Sequence, residues 1–172
     1  MAPERRDFMI GALLAIPSLN LNARVQTRLH ERGFHEITDS NSTVMKVLSP
    51  GGDRITELAR KATMTKQSMG YLVDQLEAAG YVERVTDPSD ARATIIGRTR
   101  KGWTYNRAAA EEVARLQEDW ARLLGPAKMT QLKALLSELV AKLGYQYEGS
   151  SVDLATRVPR GARPFPNLTS AK

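Results

Sequence analysis

The sequence predicts a mainly α-helical protein with one small β-hairpin near its middle. Three observations predict it. Apolar residues recur at helical spacing on both sides of residues 54–102. Inside that stretch, two short helical patterns are separated by a tight turn. Two β-rich runs then flank Asp87-Pro88-Ser89-Asp90, a turn with proline well placed at its second position.

The elements follow in order. Phe8 to Gly33 is helical in pattern and is expected to be interrupted or restarted at Pro17. Leu21, Val25 and Leu29 fall at i, i+4 and i+8 on one face, and Gly33 marks a C-terminal stop. The basic pair Arg5-Arg6 followed by FMIGALLAI superficially resembles a signal peptide. Glu4 and Asp7 dilute its basic region, however, and no small-residue cleavage site follows Pro17. The segment is therefore expected to be the first packing element of a cytoplasmic protein. Thr38 to Leu48 reads as a second helix capped by Thr38 or Asp39. Its Asn41, Ser42 and Thr43 are weak helix formers, so tertiary packing has to hold it.

Ser49-Pro50-Gly51-Gly52 is a turn. A short helix is expected from Thr56 to Ala62 with Thr56 as its N-cap. Thr63-Met64 then turns the chain, and Thr65 caps the next helix, Lys66 to Ala79. That helix has an apolar stripe of Met69, Leu72, Val73 and Leu76, and Gly80 stops it. Tyr81–Thr86 and Ala93–Thr99 are the two strands of the hairpin. Thr99 caps a long helix from Arg100 to Leu124, with Trp103, Ala110, Val113, Trp120 and Leu124 roughly on one stripe. Gly125-Pro126 breaks it, and Pro126 suits the first turn of a last helix. There Met129, Leu132, Leu136, Leu139 and Leu143 repeat at heptad-like spacing up to Gly144. Residues 145–172 change character: Gly, Ser and Pro with Arg157, Arg160 and Arg163 and no periodicity, which reads as an extended or disordered tail. No internal repeat is visible.

Composition narrows the function classes. The chain has 172 residues, about one ordinary domain, and 42% of them are hydrophobic, enough for a packed core. A net charge of +6 and a pI of about 9.8 favour polyanionic partners, nucleic acid first among them. No apolar run approaches the ~20 residues that span a bilayer, so no membrane partner is expected. Zero cysteines exclude disulfides, thiolate metal sites and thiol switches. There is no Gly-rich cofactor loop and no nucleophile–base constellation, so the chain reads as neither an enzyme nor a cofactor carrier. His30 and His35, the two histidines, lie near Glu31 and Glu36. A five-residue spacing across Gly33 gives no shared helical face, so no metal site is read there.

The order helix, turn, helix, hairpin is that of a winged helix-turn-helix, in which one helix enters the major groove and the wing meets backbone or minor groove. Lys66–Ala79 would be the groove helix, with its apolar face inward. Thr65, Gln67, Ser68, Tyr71 and Gln75 can reach base edges or phosphates, and Lys66 adds charge. By itself such a face is equally well a solvated helix surface; the short helix before it and the hairpin after it decide for DNA. In the wing, Arg84 lies on the entering strand and Arg98 on the leaving one. Arg92, near the tip, is placed for a minor groove. Asp90 cannot favour phosphate directly, so it is expected to orient Arg92 through a bidentate pair. Alone, this would be a polar turn with an incidental ion pair.

The same residues resemble the multiple antibiotic resistance regulator (MarR) family. The resemblance rests on Leu76-Glu77-Ala78-Ala79-Gly80, on Asp87-Pro88-Ser89-Asp90-Ala91-Arg92 and on Arg98-Thr99-Arg100-Lys101-Gly102. In element order it extends from Ser18 to about Gly144. The resemblance implies a homodimer on a palindromic double-stranded operator, most often a repressor released by a small aromatic or anionic ligand. It implies a dimerisation domain of residues 8–36 and 99–144, a winged-helix domain of residues 38–98, and a tail of residues 145–172. Leu21, Val25, Leu132, Leu136, Leu139 and Leu143 are the expected dimer contacts. Two positions depart from the family pattern. Arg98 stands where leucine is usual, so a core or hinge contact is altered or the charge faces solvent or DNA. Ser42 stands where a large apolar residue is common, so a ligand cleft bordered by Ser42, Trp103 and Trp120 would be unusual. The competing reading is a winged helix used as a protein-interaction module, which would not need Arg84, Arg92 and Asp90 together.

Overall fold

The computed structural model describes residues 9–87 and 90–144. Residues 145–172, with the expected tail and its three arginines, lie outside the described residues, as do Pro88 and Ser89 of the hairpin turn. The elements run α1 (Ile10–Glu31), α2 (Asp39–Val47), β1 (Asp53–Arg54), α3 (Ile55–Lys61), α4 (Lys66–Ala78), β2 (Val82–Asp87), β3 (Asp90–Arg98), α5 (Arg100–Leu124) and α6 (Pro126–Lys142). The fold is thus mainly α-helical, with a small antiparallel sheet in the order β1-β3-β2.

Local chemistry explains most of the boundaries. Thr38 and Asn41 form a reciprocal cap at the start of α2: the Asn41 N–H donates to the Thr38 hydroxyl at 3.3 Å, and the Thr38 N–H to Asn41 Oδ1 at 2.8 Å. Thr65 and Thr99 cap α4 and α5 by accepting from the amides of Ser68 and Gly102, both at 3.1 Å. Gly125, with φ of 86°, breaks α5 from α6, and Pro126 opens the latter.

Three expectations are corrected. α1 passes through Pro17 without interruption, because a single missing N–H removes only one bond of a 22-residue helix. α3 starts at Ile55 with Arg54, not Thr56, at the N-cap position. The cause is a third strand: Asp53 and Arg54 pair with Ile96 and Ile95 of β3 and feed directly into the helix. A two-residue strand is too short to leave a periodic signal. β3 also begins at Asp90, three residues before the expected Ala93.

The core lies where α1, α2, α4, the hairpin base and α5 meet. Leu29, Ile37, Val44, Leu48, Leu58, Met69, Leu76, Tyr81, Ile96 and Leu116 are among its fully buried side chains. Phe34, Tyr81 and Tyr105 pack edge to face, with centroids 5.5 Å apart for Phe34–Tyr105 and 5.9 Å for Tyr81–Tyr105. The Tyr81 hydroxyl donates to Glu36, whose carboxyl is held down at about 2 by a backbone hydrogen bond first, then by Lys101 and Tyr81. Glu112 of α5 is buried against Arg32 and Arg115, each at 3.0 Å, and this joins α5 to α1. Gly102, in the first turn of α5, sits against the backbone of Tyr81: a Cβ there would lie 2.1 Å from the Tyr81 carbonyl oxygen.

The first and last described helices expose apolar surface. On α6 only Met129 is buried, while Leu132, Leu135, Leu136, Leu139, Val140 and Leu143 are exposed. On α1, Ile10, Leu13, Leu14, Ile16 and Leu19 are exposed. Leu21 and Val25, expected at a dimer contact, pack against the chain's own core, Val25 buried and Leu21 partly buried. The helical period places residues on a common face but does not say which body that face meets. No helix among the described residues is long and apolar enough to cross a membrane.

Candidate nucleic-acid interface

α4 lies on α2 and α3 through Met69, Leu72, Val73 and Leu76, which turns Lys66, Gln67, Ser68 and Tyr71 outward. Tyr71 is 65% exposed, a large exposure for an aromatic ring in mid-helix. The Thr65 and Ser68 hydroxyls share a hydrogen bond of 2.8 Å, so both are partly occupied in shaping the first turn. Gln75 is half-buried, at the far end of the face. Met64, Gln67, Ser68, Tyr71 and Leu72 form an open groove with Ser40 and Thr43 of α2. Sequence reasoning missed the last two. Their signal was the second helix itself, whose poor formers include polar residues that its apolar face leaves outside.

In the wing the expected arginines separate. Arg92 is exposed on β3. Arg84 is held against the recognition helix, 2.6 Å from Asp74 and in contact with Glu77, so it ties β2 to α4. Asp90 does not form the expected side-chain pair with Arg92. One of its oxygens accepts the Arg92 backbone N–H at 3.1 Å, and the other faces Arg54 of β1 at 3.3 Å. A turn acid bonding the amide two residues on needs no partner side chain, and β1 brings Arg54 alongside.

Arg98 corrects the expectation of a DNA-facing charge. It is 9% exposed and turned inward. Its guanidinium donates to the carbonyls of Met45 and Ser49, each at 3.0 Å, and of Leu48. These lie at or just past the C-terminus of α2, where the last carbonyls have no partner inside the helix and the dipole favours a cation. The guanidinium also stands 5.0 Å over the Trp103 ring. Burial lowers its pKa, and the charge of Asp53 opposes that shift. Nearby, the buried Lys61 ammonium pairs with Asp53 at 2.8 Å and donates to the Ser49 hydroxyl at 2.6 Å. The base of the wing and the end of α2 thus form one polar knot.

A cavity of about 420 Å³ opens between α1, α2 and α5. Of the three cleft residues expected from sequence, Ser42 lines it and Trp103 and Trp120 do not. Leu21, Val25, Met45, Ala109 and Val113 give it apolar walls; Asn22, Gln26, Lys46, Tyr105, Asn106 and Gln117 add polar groups. Lys46 donates to Asn22 at 3.2 Å, and burial lowers its pKa while Asp39 opposes that. Burial, with a smaller effect of Asp39, pushes the Tyr105 hydroxyl up to about 12. These residues come from three separate helices, so no local motif announces them. Among the described residues no cluster of His, Cys, Asp or Glu could hold a metal.

A three-helix unit with a recognition helix, a two-stranded wing and a third short strand defines a winged helix-turn-helix, a DNA-binding class. The sequence profile of the MarR family matches residues 35–93. The HTH-type transcriptional regulator FarR of Neisseria gonorrhoeae is 31% identical over 104 residues, which are 60% of this chain and 71% of FarR. Among solved structures, the transcriptional regulator Tm0710 of Thermotoga maritima superposes with a TM-score of 0.58 at 27% identity, over 78% of this chain and 93% of that one. NadR in complex with 4-hydroxyphenylacetate gives a TM-score of 0.57 at 26% identity, over 81% of this chain and 97% of that one. The chain belongs to the MarR family of transcriptional regulators.

Proposed function

We propose that this regulator is a homodimeric repressor that grips a palindromic operator and is released by a small molecule bound between α1, α2 and α5. The observation that carries the reading is the outward face of α4: Lys66, Gln67, Ser68 and Tyr71 are all exposed beside a wing whose Arg92 is exposed too. Residues near the N-terminus of a recognition helix reach base edges, and a wing arginine meets the negative potential of a minor groove. The exposed apolar faces of α1 and α6 support dimerisation, since a lone domain of this size has little reason to expose them. On this reading residues 8–36 and 99–144 serve dimerisation and residues 38–98 serve DNA. The effector reading is supported by the mostly apolar cavity with a few convergent polar groups, and by NadR having been solved with 4-hydroxyphenylacetate. A small aromatic or anionic ligand fits those walls and the Lys46 ammonium.

Two sets of variants test the DNA reading by gel shift. Arg92→Ala is expected to weaken operator binding strongly in a protein that still folds. It should also flatten the salt dependence by roughly 0.9 for each phosphate that the protein then leaves unneutralised. Asp90→Ala is expected to weaken binding too, although it removes a negative charge, because Asp90 shapes the turn through the Arg92 amide and Arg54. Tighter binding by Asp90→Ala sinks that role. In the recognition helix, Gln67→Ala should change which sequences bind, whereas Lys66→Ala should weaken all sequences alike. An unchanged sequence preference in Gln67→Ala removes that residue from base readout.

A further inference from the structure

We propose that Arg98 is a positioning residue that couples the cavity to the wing, with Asn106 as the link between them. The proposal rests on the effector reading and adds the route by which occupancy reaches DNA. Arg98 is the last residue of β3 and pairs with Val82 at the base of the hairpin. In its hydrogen-bonded amide orientation, the Asn106 carbonyl accepts from Arg98 Nε at 2.9 Å. Asn106 also lines the cavity, and so does Met45, whose carbonyl takes a second Arg98 donor at 3.0 Å. Two walls of the cavity are therefore bonded directly to the side chain that fastens the wing to the end of α2.

The chemistry gives the coupling its direction. A guanidinium has five N–H donors, and once buried each needs an acceptor. Arg98 directs its donors to four acceptors, the carbonyls of Met45, Leu48 and Ser49 and the carboxamide of Asn106. A ligand that engages the Asn106 carboxamide competes for the acceptor of Nε. The guanidinium then has an unmatched donor in a buried site, and its hold on the end of α2 weakens. β3, which ends at Arg98, carries Arg92, so the wing hangs from this one side chain.

The test needs no ligand. Wild type, Asn106→Leu, Arg98→Leu and the double variant are compared on an operator selected from random DNA by the wild type. Asn106→Leu removes the acceptor and mimics occupancy. It should weaken operator binding about tenfold and abolish hydroxyl-radical protection at the wing's minor-groove positions, while the base preference set by the recognition helix stays unchanged. General destabilisation would weaken both alike. Arg98→Leu should act similarly, and the double variant should bind no more weakly than Arg98→Leu alone. If Arg98→Leu does not fold, Arg98→Lys replaces it with the same non-additivity expected. Unchanged affinity in Asn106→Leu, or effects that multiply in the double variant, overturns the proposal and leaves the regulator reading standing. A wild type that selects no DNA overturns both.

Discussion

Leu136→Asp is expected to turn the proposed homodimer into a folded monomer. Leu136 lies mid-way along α6, among Leu132, Leu135, Leu139 and Val140, all exposed in the single chain. In a two-fold dimer the same patch serves both subunits, so one substitution places two carboxylates in the buried seam. Each costs several kcal/mol when desolvated without a partner. Even about 4 kcal/mol of that cost raises the dissociation constant about a thousandfold. Within the chain Leu136 is not a core residue, so helix content by circular dichroism should stay near wild type. Sedimentation at micromolar concentration reads the outcome. A variant that remains a dimer places the subunit contact elsewhere.

Gly102→Ala is expected to be the most damaging single-methyl change in the molecule. The added Cβ would lie 2.1 Å from the Tyr81 carbonyl oxygen and 3.4 Å from the Arg98 Cβ. The obstacle is backbone, so it cannot rotate away. The first turn of α5 has to move off the hairpin base, which also strains the Thr99 cap and the bonds of Arg98. A destabilisation above about 4 kcal/mol follows, at the extreme of single substitutions. Gly70→Ala is the control. It lies in α4, where a Cβ meets only Ile55 Cδ1 at 3.7 Å. Removing a helical glycine there should stabilise by about 0.5–1 kcal/mol. Thermal unfolding of the two proteins side by side checks both signs; a Gly102→Ala protein as stable as wild type contradicts the close packing of α5 on Tyr81.

The recognition helix and its cap were legible because their determinants are local. Thr65, the stripe Met69-Leu72-Val73-Leu76 and Gly80 lie within one short stretch, and hydroxyl caps and helical periods act over three or four residues. The break at Gly125-Pro126 and the exposed stripe of α6 were readable for the same reason. What was not legible depends on partners far along the chain. Arg98 reads as one more wing cation until α2, some fifty positions earlier, presents its carbonyls. Asp90 reads as a partner for Arg92 until β1 delivers Arg54. Leu21 and Val25 share a face with Leu29, yet only the fold says that this face borders α5 and the cavity. Pro17 reads as a break because its rule is local, and a long helix overrides it.

Selection of binding sites from random duplex DNA by the wild-type protein, at physiological salt, tests the central claim most directly. The expected product is an inverted repeat whose half-site centres lie about one helical turn apart, ~10 base pairs, since two recognition helices related by a two-fold axis must enter successive major grooves. Enrichment of a single unpaired half-site, or of no sequence at all, contradicts a homodimer reading its operator through α4 and the wing.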